Sequence, residues 1–395
     1  MKFDNIAFSL ADAWSSPFVR WQGSLADLSS LDLAVTVTRD AMAAREVDAS
    51  RIGSLVIGAT IPQMSSFYAA PWVAAQLGLP EVSGPMVSQA CATSVACLAS
   101  AAFAHAPGSG RTTLVLTTDR TSNGPLLVYP RTQSMGGSPL SEHWVLDSFA
   151  ADPATGQSMV VTADNVAREG RMTREGLDAL TLLRWSQYQS SLAQDRAFQR
   201  QYMQPVRIAK GRSTATVDAD EGVHAYSQEG LAALKPALLG SVVTHGGQTH
   251  PADGCAGVVL GDVSCVRERS GGDPVVSLVS VGFARAGKAQ MPKAATLAAR
   301  QALADAGLQV SQIALIGSHN PFAVNDVWLS QQMDFPLERM NVKGCSLIYG
   351  HPQGPTGMRG IIELAWSLKE AGGGLGLFTG CAAGDTGAAI VIRVD

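Results

Sequence analysis

Leu55-Val56-Ile57-Gly58 and Thr113-Leu114-Val115-Leu116 are brief, apolar and partly β-branched, the makeup of strands buried on both faces. Between them, residues 93–105 are mostly small and apolar and read as a helix. Strand, helix and strand in this order predict an α/β protein whose sheet is largely parallel and covered by helices.

Outward from that unit the pattern changes. Residues 121–247 open on turn-rich sequence, Thr121-Ser122-Asn123-Gly124-Pro125 and Gly136-Gly137-Ser138-Pro139, and continue into a helix over 174–194 with Leu177, Leu180, Leu183 and Trp185 on one side. This stretch reads as an insertion laid over the first unit. Strand character returns at 256–262, and the polar, glycine-containing run 267–273 marks a boundary. A second unit follows, with strands at 275–281 and 313–316, helices at 293–306 and 358–370, and a last strand at 388–394. The expected division is a first half (1–120 with 248–268), an inserted loop domain (121–247) and a second half (269–395). The halves share a plan: each sets a tight loop before a helix, at 89–93 and 350–357, and each closes on a similar strand.

Of the 395 residues, 46% are hydrophobic and 16% charged, which suits a folded α/β chain and excludes general disorder. The net charge of −4 speaks against non-specific attraction to nucleic acid. The opening residues lack a signal-peptide core, and no run approaches the roughly 18 apolar residues that span a bilayer. Six cysteines are too sparse for a disulfide framework, and Cys91 and Cys97, six apart, do not have metal-site spacing. They are expected to be reduced and mostly buried, in a cytoplasmic protein with no metal.

Four segments carry reactive groups. In Val87-Ser88-Gln89-Ala90-Cys91-Ala92-Thr93-Ser94 a cysteine sits at a helix start, where the dipole is expected to lower its pKa from about 8.5; the plain alternative is a small buried hydrophobe. In Gly350-His351-Pro352-Gln353-Gly354-Pro355-Thr356-Gly357 a histidine stands on a loop of fixed shape at a helix entrance, either as a functional group or incidental to a turn. Phe378-Thr379-Gly380-Cys381-Ala382-Ala383-Gly384 places a cysteine in a tight loop between strands, and by itself reads as structural. His319, after a strand in Ser318-His319-Asn320-Pro321-Phe322, is either a hydrogen-bond donor to a developing oxyanion or a satisfied core histidine.

In order and together these segments resemble the thiolase family. The Gly-His-Pro-x-Gly-x-x-Gly motif is matched in full at 350–357, and Cys381-Ala382-Ala383-Gly384 resembles the C-terminal Cys-x-Gly/Ala-Gly loop. Thr162-Ala163-Asp164-Asn165-Val166-Ala167, Val217-Asp218-Ala219-Asp220-Glu221, Leu234-Lys235-Pro236-Ala237-Leu238 and Asp253-Gly254-Cys255-Ala256-Gly257 resemble further family segments, so the likeness runs through most of the chain. It implies the thiolase fold, two similar α/β halves in an α-β-α-β-α arrangement with an inserted loop domain over the site. It implies coenzyme A as co-substrate with no permanently bound cofactor, Cys91 as nucleophile, His351 as its base, Cys381 as acid and base at the substrate α-carbon, and His319 as an oxyanion donor beside His351. The backbone amides of Cys91 and Ala383 would form a second oxyanion site, and Thr249 and Arg212 would contact coenzyme A. A homodimer or dimer of dimers is implied, and divergent members also use a small zinc-bearing OB-fold partner.

Three departures stand out. His319-Asn320-Pro321-Phe322 replaces the Asn-Glu-Ala-Phe of many members, the sterol-carrier-protein-type branch also having a histidine at the position of His319; Gly344-Cys345 replaces Gly-Gly; and Gln157-Ser158-Met159 replaces Tyr-His-Met. They turn the expectation from acetoacetyl-CoA toward a bulkier, branched or aromatic acyl group. A β-ketoacyl synthase with Cys91, His319 and His351 as its triad is the nearest alternative, and Cys381 argues against it. A non-catalytic CoA-thioester-binding subunit is the alternative from another class.

Overall fold

The computed structural model describes residues 1–133, 135–211 and 213–395. Its main sheet has eleven strands. In chain order these are β1 (Ile6–Ser9), β2 (Trp14–Ser15), β3 (Val19–Arg20), β4 (Ile52–Gly58), β5 (Met86–Val87), β6 (Thr112–Arg120), β7 (Ala252–Asp262), β8 (Val275–Arg285), β9 (Leu315–His319), β10 (Gly374–Ala382) and β11 (Thr386–Val394). They lie in the order β9-β10-β11-β8-β1-β7-β6-β4-β5, with β2 and β3 also paired to β7.

The two halves meet where β1 pairs antiparallel with β7 on one side and β8 on the other. The sheet is not largely parallel. Among the described residues, only β4 with β5, β4 with β6, and β9 with β10 pair parallel in this sheet. The closing strand of each half is antiparallel to its neighbour, β7 to β6 and β11 to β10. Parallel pairing needs a crossover connection. The three residues between β10 and β11 leave room only for a hairpin return.

The helices form layers around this sheet. Thr93–Ala104 and Pro355–Glu370 pack together between the halves, and Val95, Leu98, Ile361 and Ile362 share one core with Val258 and Leu260 of β7 and Ile390 and Ile392 of β11. Each such fully buried aliphatic side chain contributes about 2 kcal/mol through its removal from water. Ser30–Ala44 and Ala69–Gln76 cover the outer face of the first half, and Met291–Ala306 that of the second. The resulting order is helix, sheet, helix, sheet, helix.

Local chemistry sets the helix ends. The Ser29 hydroxyl accepts from the Asp32 amide, and the Thr173 hydroxyl from that of Gly176. Gly307 closes Met291–Ala306 at φ 68°. The helix expected over 174–194 stops at Ser191, and Gln194, Asp195 and Arg196 have positive φ. Among the described residues no helix is long and apolar enough to cross a membrane. All six cysteines are free, four of them buried.

Candidate active site

Cys91 lies between β5 and the helix Thr93–Ala104. Ala90, just before it, has φ 45°, a left-handed conformation that costs a β-carbon-bearing residue roughly 1 kcal/mol. The Thr93 hydroxyl holds this turn, donating to the Ala90 carbonyl at 2.7 Å and accepting from the Gln89 amide at 2.9 Å. The turn aims the sulfur at the loop that opens the other central helix.

That loop is 350–357. Gly350 has φ 94°, and a β-carbon there would meet His250 Nε2 at 2.8 Å and the Ala252 methyl at 2.9 Å. A β-carbon on Gly354 would stand 2.7 Å from an Asp119 carboxylate oxygen, which accepts the Gly354 amide. Ser94 ties the two central helices, donating to the Gly354 carbonyl and accepting from the Met358 amide at 2.7 Å. The spacing of the motif glycines therefore reflects two close backbone approaches. Between them His351 Nε2 lies 3.1 Å from Cys91 Sγ, and His351 Nδ1 lies 2.7 Å from the Thr356 hydroxyl.

His319 ends β9, its ring stacked on that of His351 with centroids 4.0 Å apart. One ligating atom each of Cys91, His319 and His351 lie within 4.8 Å of one another. His319 Nδ1 is 2.8 Å from the Ser346 hydroxyl, and His319 Nε2 is buried without a partner. Cys381 lies at the end of β10, just before the β10–β11 turn and not within it, and its sulfur accepts from Asn325 Nδ2 at 3.1 Å. Behind His319, Asp326 gathers Arg184 at 2.8 Å and Asn320 at 2.7 Å, fastening the 174–191 helix to this wall.

Electrostatics in this site are those of buried groups. Burial pushes the Cys91 thiol up to about 12, the Asp119 charge adds to the shift, and the amides of Ala383 and Cys91 itself oppose it. The helix start therefore does not lower this thiol, because desolvation of the thiolate outweighs the dipole. Burial also raises Cys381, as does the nearby Cys91. Burial takes His319 down to about 3, and it carries His351 well below 6.5 with help from His319.

A cavity of about 310 Å³ is lined by Cys91, Cys381, His351, Thr249, Phe149 and Met159 among others. Phe149 and Met159 belong to the 121–247 stretch. The Thr249 hydroxyl is engaged with the Ser346 carbonyl, and its amide donates to Pro321 at 2.8 Å. Arg212 lies outside the described residues. The amides of Ala383 and Cys91 both act on the Cys91 sulfur.

Four groups around the site were not assigned from the sequence. Asp119 accepts from Thr60, Ile61 and Gly354 and is pushed up to about 7 by burial. Gln353, inside the motif, lies 3.3 Å from Cys91 Sγ through Oε1. Asn325 and Ser346 hold Cys381 and His319. A carboxylate at the carboxyl end of a buried strand was the available signal for Asp119; the other three carry none apart from their neighbours.

Two cysteines and two histidines thus converge on a cleft between the α/β halves. Residues 9–264 match the thiolase N-terminal domain and 273–394 the thiolase C-terminal domain. The acetyl-CoA acetyltransferase of Escherichia coli (strain K12) is 29% identical over 380 residues, covering 94% of this chain and 95% of that protein. The crystal structure of the Bacillus anthracis acetyl-CoA acetyltransferase superposes with a TM-score of 0.91 at 24% identity, covering 100% of both chains. That of human mitochondrial 3-ketoacyl-CoA thiolase in complex with CoA gives 0.89 at 22% identity, covering 100% of this chain and 99% of the other. The chain belongs to the thiolase family and is an acyltransferase.

Proposed function

We propose that the protein cleaves a 3-oxoacyl-CoA with coenzyme A, or runs the reverse condensation, through an acyl group carried on Cys91. The observation that supports this most directly is the 3.1 Å approach of His351 Nε2 to Cys91 Sγ on the cavity that also reaches Cys381. In cleavage, His351 Nε2 takes the thiol proton as Cys91 Sγ attacks the ketone carbon. The bond between the α- and β-carbons breaks, its electron pair stays on the α-carbon, and the Cys381 thiol protonates that carbon to release acetyl-CoA. Coenzyme A then attacks the acyl-Cys91 carbonyl and gives its proton to the Cys381 thiolate. The expelled Cys91 sulfur recovers the proton held by His351.

Each oxygen that gains charge has a donor. The Ser346 hydroxyl is 2.8 Å from His319 Nδ1 and 3.3 Å from Asn320 Oδ1. We assign the Ser346 proton to His319 Nδ1, the tautomer that leaves an N–H on His319 Nε2 for the thioester enolate. The amides of Cys91 and Ala383 serve the tetrahedral oxyanion. Thr249 contacts coenzyme A through the cavity wall, and Arg212 contributes from the inserted segment. Coenzyme A is a co-substrate here and is not permanently bound.

The homodimer, or dimer of dimers, belongs to the same reading. β5 ends the sheet two residues before Gln89, with an unpaired edge, and Met64 and Phe67 nearby in the chain are 91% and 95% exposed. Incubation with acetyl-CoA and intact-mass measurement tests the chemistry. An acetyl adduct on Cys91, and cleavage of 3-oxoacyl-CoA that depends on Cys381, are expected. A malonyl requirement with Cys381→Ala still active would point instead to a β-ketoacyl synthase. No adduct with any acyl-CoA would point to a binding subunit.

A further inference from the structure

A second cavity, of about 250 Å³, adjoins the catalytic one, and the two share Phe149, Gln353 and Ala383 as walls. It also borders Ala90, the residue before the nucleophile, and is otherwise walled in part by Glu142, Trp144 and Ser148. An acyl group on Cys91 therefore has two directions open to it, and one of them leads past Gln353 into this chamber.

The polar groups of the chamber are incompletely used by the protein. Gln353 is 5% exposed, its Oε1 faces Cys91, and its Nε2 is buried with no partner. A buried amide donor left unpaired costs about 1–3 kcal/mol, so a ligand acceptor there recovers free energy. The Glu142 carboxylate accepts one hydrogen bond, from the Tyr129 hydroxyl at 3.0 Å, and pairs with no cation among the described residues. The Ser148 hydroxyl has no hydrogen-bond partner among the described residues. Trp144 is fixed by its indole N–H, which donates to the Thr60 carbonyl at 2.9 Å, and Phe149 completes an aromatic wall.

We infer that this chamber receives the far end of the acyl group, and that the acyl group carries a hydroxyl, on an aryl ring or a comparably flat chain. A hydroxyl can accept from Gln353 Nε2 and donate to Glu142, which an alkyl, an ammonium or a carboxylate cannot both do. A carboxylate end is opposed by the charge of Glu142, and a bare hydrocarbon leaves Gln353 Nε2 unpaired and Glu142 with the Tyr129 hydroxyl as its one donor. This deepens the proposed reaction and rests on it.

Thiolytic cleavage with coenzyme A is measured for three 3-oxoacyl-CoA esters ending in phenyl, hydroxyphenyl and carboxyphenyl, with acetoacetyl-CoA alongside. The hydroxyphenyl ester is expected to exceed the phenyl ester in kcat/KM by roughly tenfold or more, the worth of a hydrogen bond to a charged group, with the carboxyphenyl ester slowest. Glu142→Leu and Gln353→Leu should each bring the hydroxyphenyl-to-phenyl ratio toward one. Glu142→Gln, which keeps the shape of the wall, should leave an intermediate ratio. A ratio at or below one in the unaltered protein, or one that Glu142→Leu leaves intact, overturns the chamber assignment while acetoacetyl-CoA cleavage still stands. Absence of cleavage of every ester, acetoacetyl-CoA included, overturns the proposed reaction and the chamber with it.

Discussion

His351 Nε2 lies 3.1 Å from Cys91 Sγ although 260 residues separate them in the chain. Burial drives both groups toward their uncharged forms, the thiol upward and the imidazole downward. The resting pair is therefore thiol and neutral imidazole, not thiolate and imidazolium. A proton moves only when negative charge on the sulfur begins to pass to a substrate oxygen held by backbone amides. In the proposed reaction, His351 acts as a base during attack, and no standing thiolate is needed.

Alkylation measures that resting state. With the Cys91 thiol raised to about 12, the rate of modification by iodoacetamide should climb about tenfold per unit from pH 7 to 10 without levelling off. A thiol at its ordinary value of about 8.5 would plateau within that range. Mass spectrometry identifies the modified residue, and a plateau below pH 9 on Cys91 would contradict the resting state described above.

Cys381 and Cys91 should separate kinetically. Cys381→Ala leaves His351 and the oxyanion amides in place, and a coenzyme A thiolate departs without a proton far more readily than a carbanion does, so acetyl transfer from acetyl-CoA to Cys91 should slow much less than cleavage. Cleavage of acetoacetyl-CoA should fall by a factor of about 100 or more, the usual span of a lost proton-transfer group. Asn325→Leu removes the donor 3.1 Å from the Cys381 sulfur and should slow cleavage while sparing acetylation. Stopped-flow cleavage set against intact-mass acetylation makes the comparison, and equal loss of both would contradict a special need for Cys381 at the α-carbon.

How much of this was legible in the chain depends on how local each feature is. The strands around Val56 and Val115, the helix after Thr93 and the turn at Gly350 rest on neighbouring residues, and they occur close to where the sequence places them. Strand direction was missed at both closing strands: β7 returns antiparallel to β6, a partner far off in the chain, and β11 returns on β10 through a connection whose shortness shows only once both strand ends are known. The sign of the Cys91 shift was missed for a related reason. A helix start is visible in sequence, whereas the desolvation that overrides it comes from the whole enclosure. Asp119 and Asn325 become functional neighbours only once distant loops meet.

The buried histidines should make the protein acid-sensitive. His319 titrates near 3 when folded and near 6.5 when unfolded, so below about pH 6.5 the unfolded chain takes up a proton that the native state refuses. Stability is thus fully present above 6.5 and is lost as pH falls toward 3, at up to about 1.4 kcal/mol per unit for this residue. His351 and His250 act in the same direction. Asp119, raised to about 7, acts oppositely between its unfolded value of 3.8 and 7. Urea unfolding of the unaltered protein and of His319→Asn from pH 7 to 5 should show a shallower decline in the variant. Parallel curves would mean that His319 is not held neutral by the fold.

The final prediction concerns how the inserted segment is held down. Arg359, in the helix that follows the His351 loop, makes a two-pronged pair with Asp220 at 2.6 and 2.8 Å, and neither side chain is exposed. Its guanidinium also lies 3.8 Å from the centre of the Tyr349 ring. Asp220 accepts in addition from the Phe18 amide at 2.8 Å and the Tyr188 hydroxyl at 3.1 Å. Truncation by Asp220→Ala strands one buried cation and two buried donors, so equilibrium unfolding should show a loss of about 3–5 kcal/mol. Glu363, 2.9 Å from Arg359, compensates part of the charge and places the expected loss toward the lower end. Replacing both partners by apolar residues of similar size, Asp220→Leu with Arg359→Met, removes the stranded charge as well as the attraction and should cost markedly less than Asp220→Ala alone. A double variant as unstable as the sum of the single ones would mean that the two side chains are not coupled; a cost below that of Asp220→Ala alone would assign the pair the task of fixing where the 217–221 segment rests against the helix.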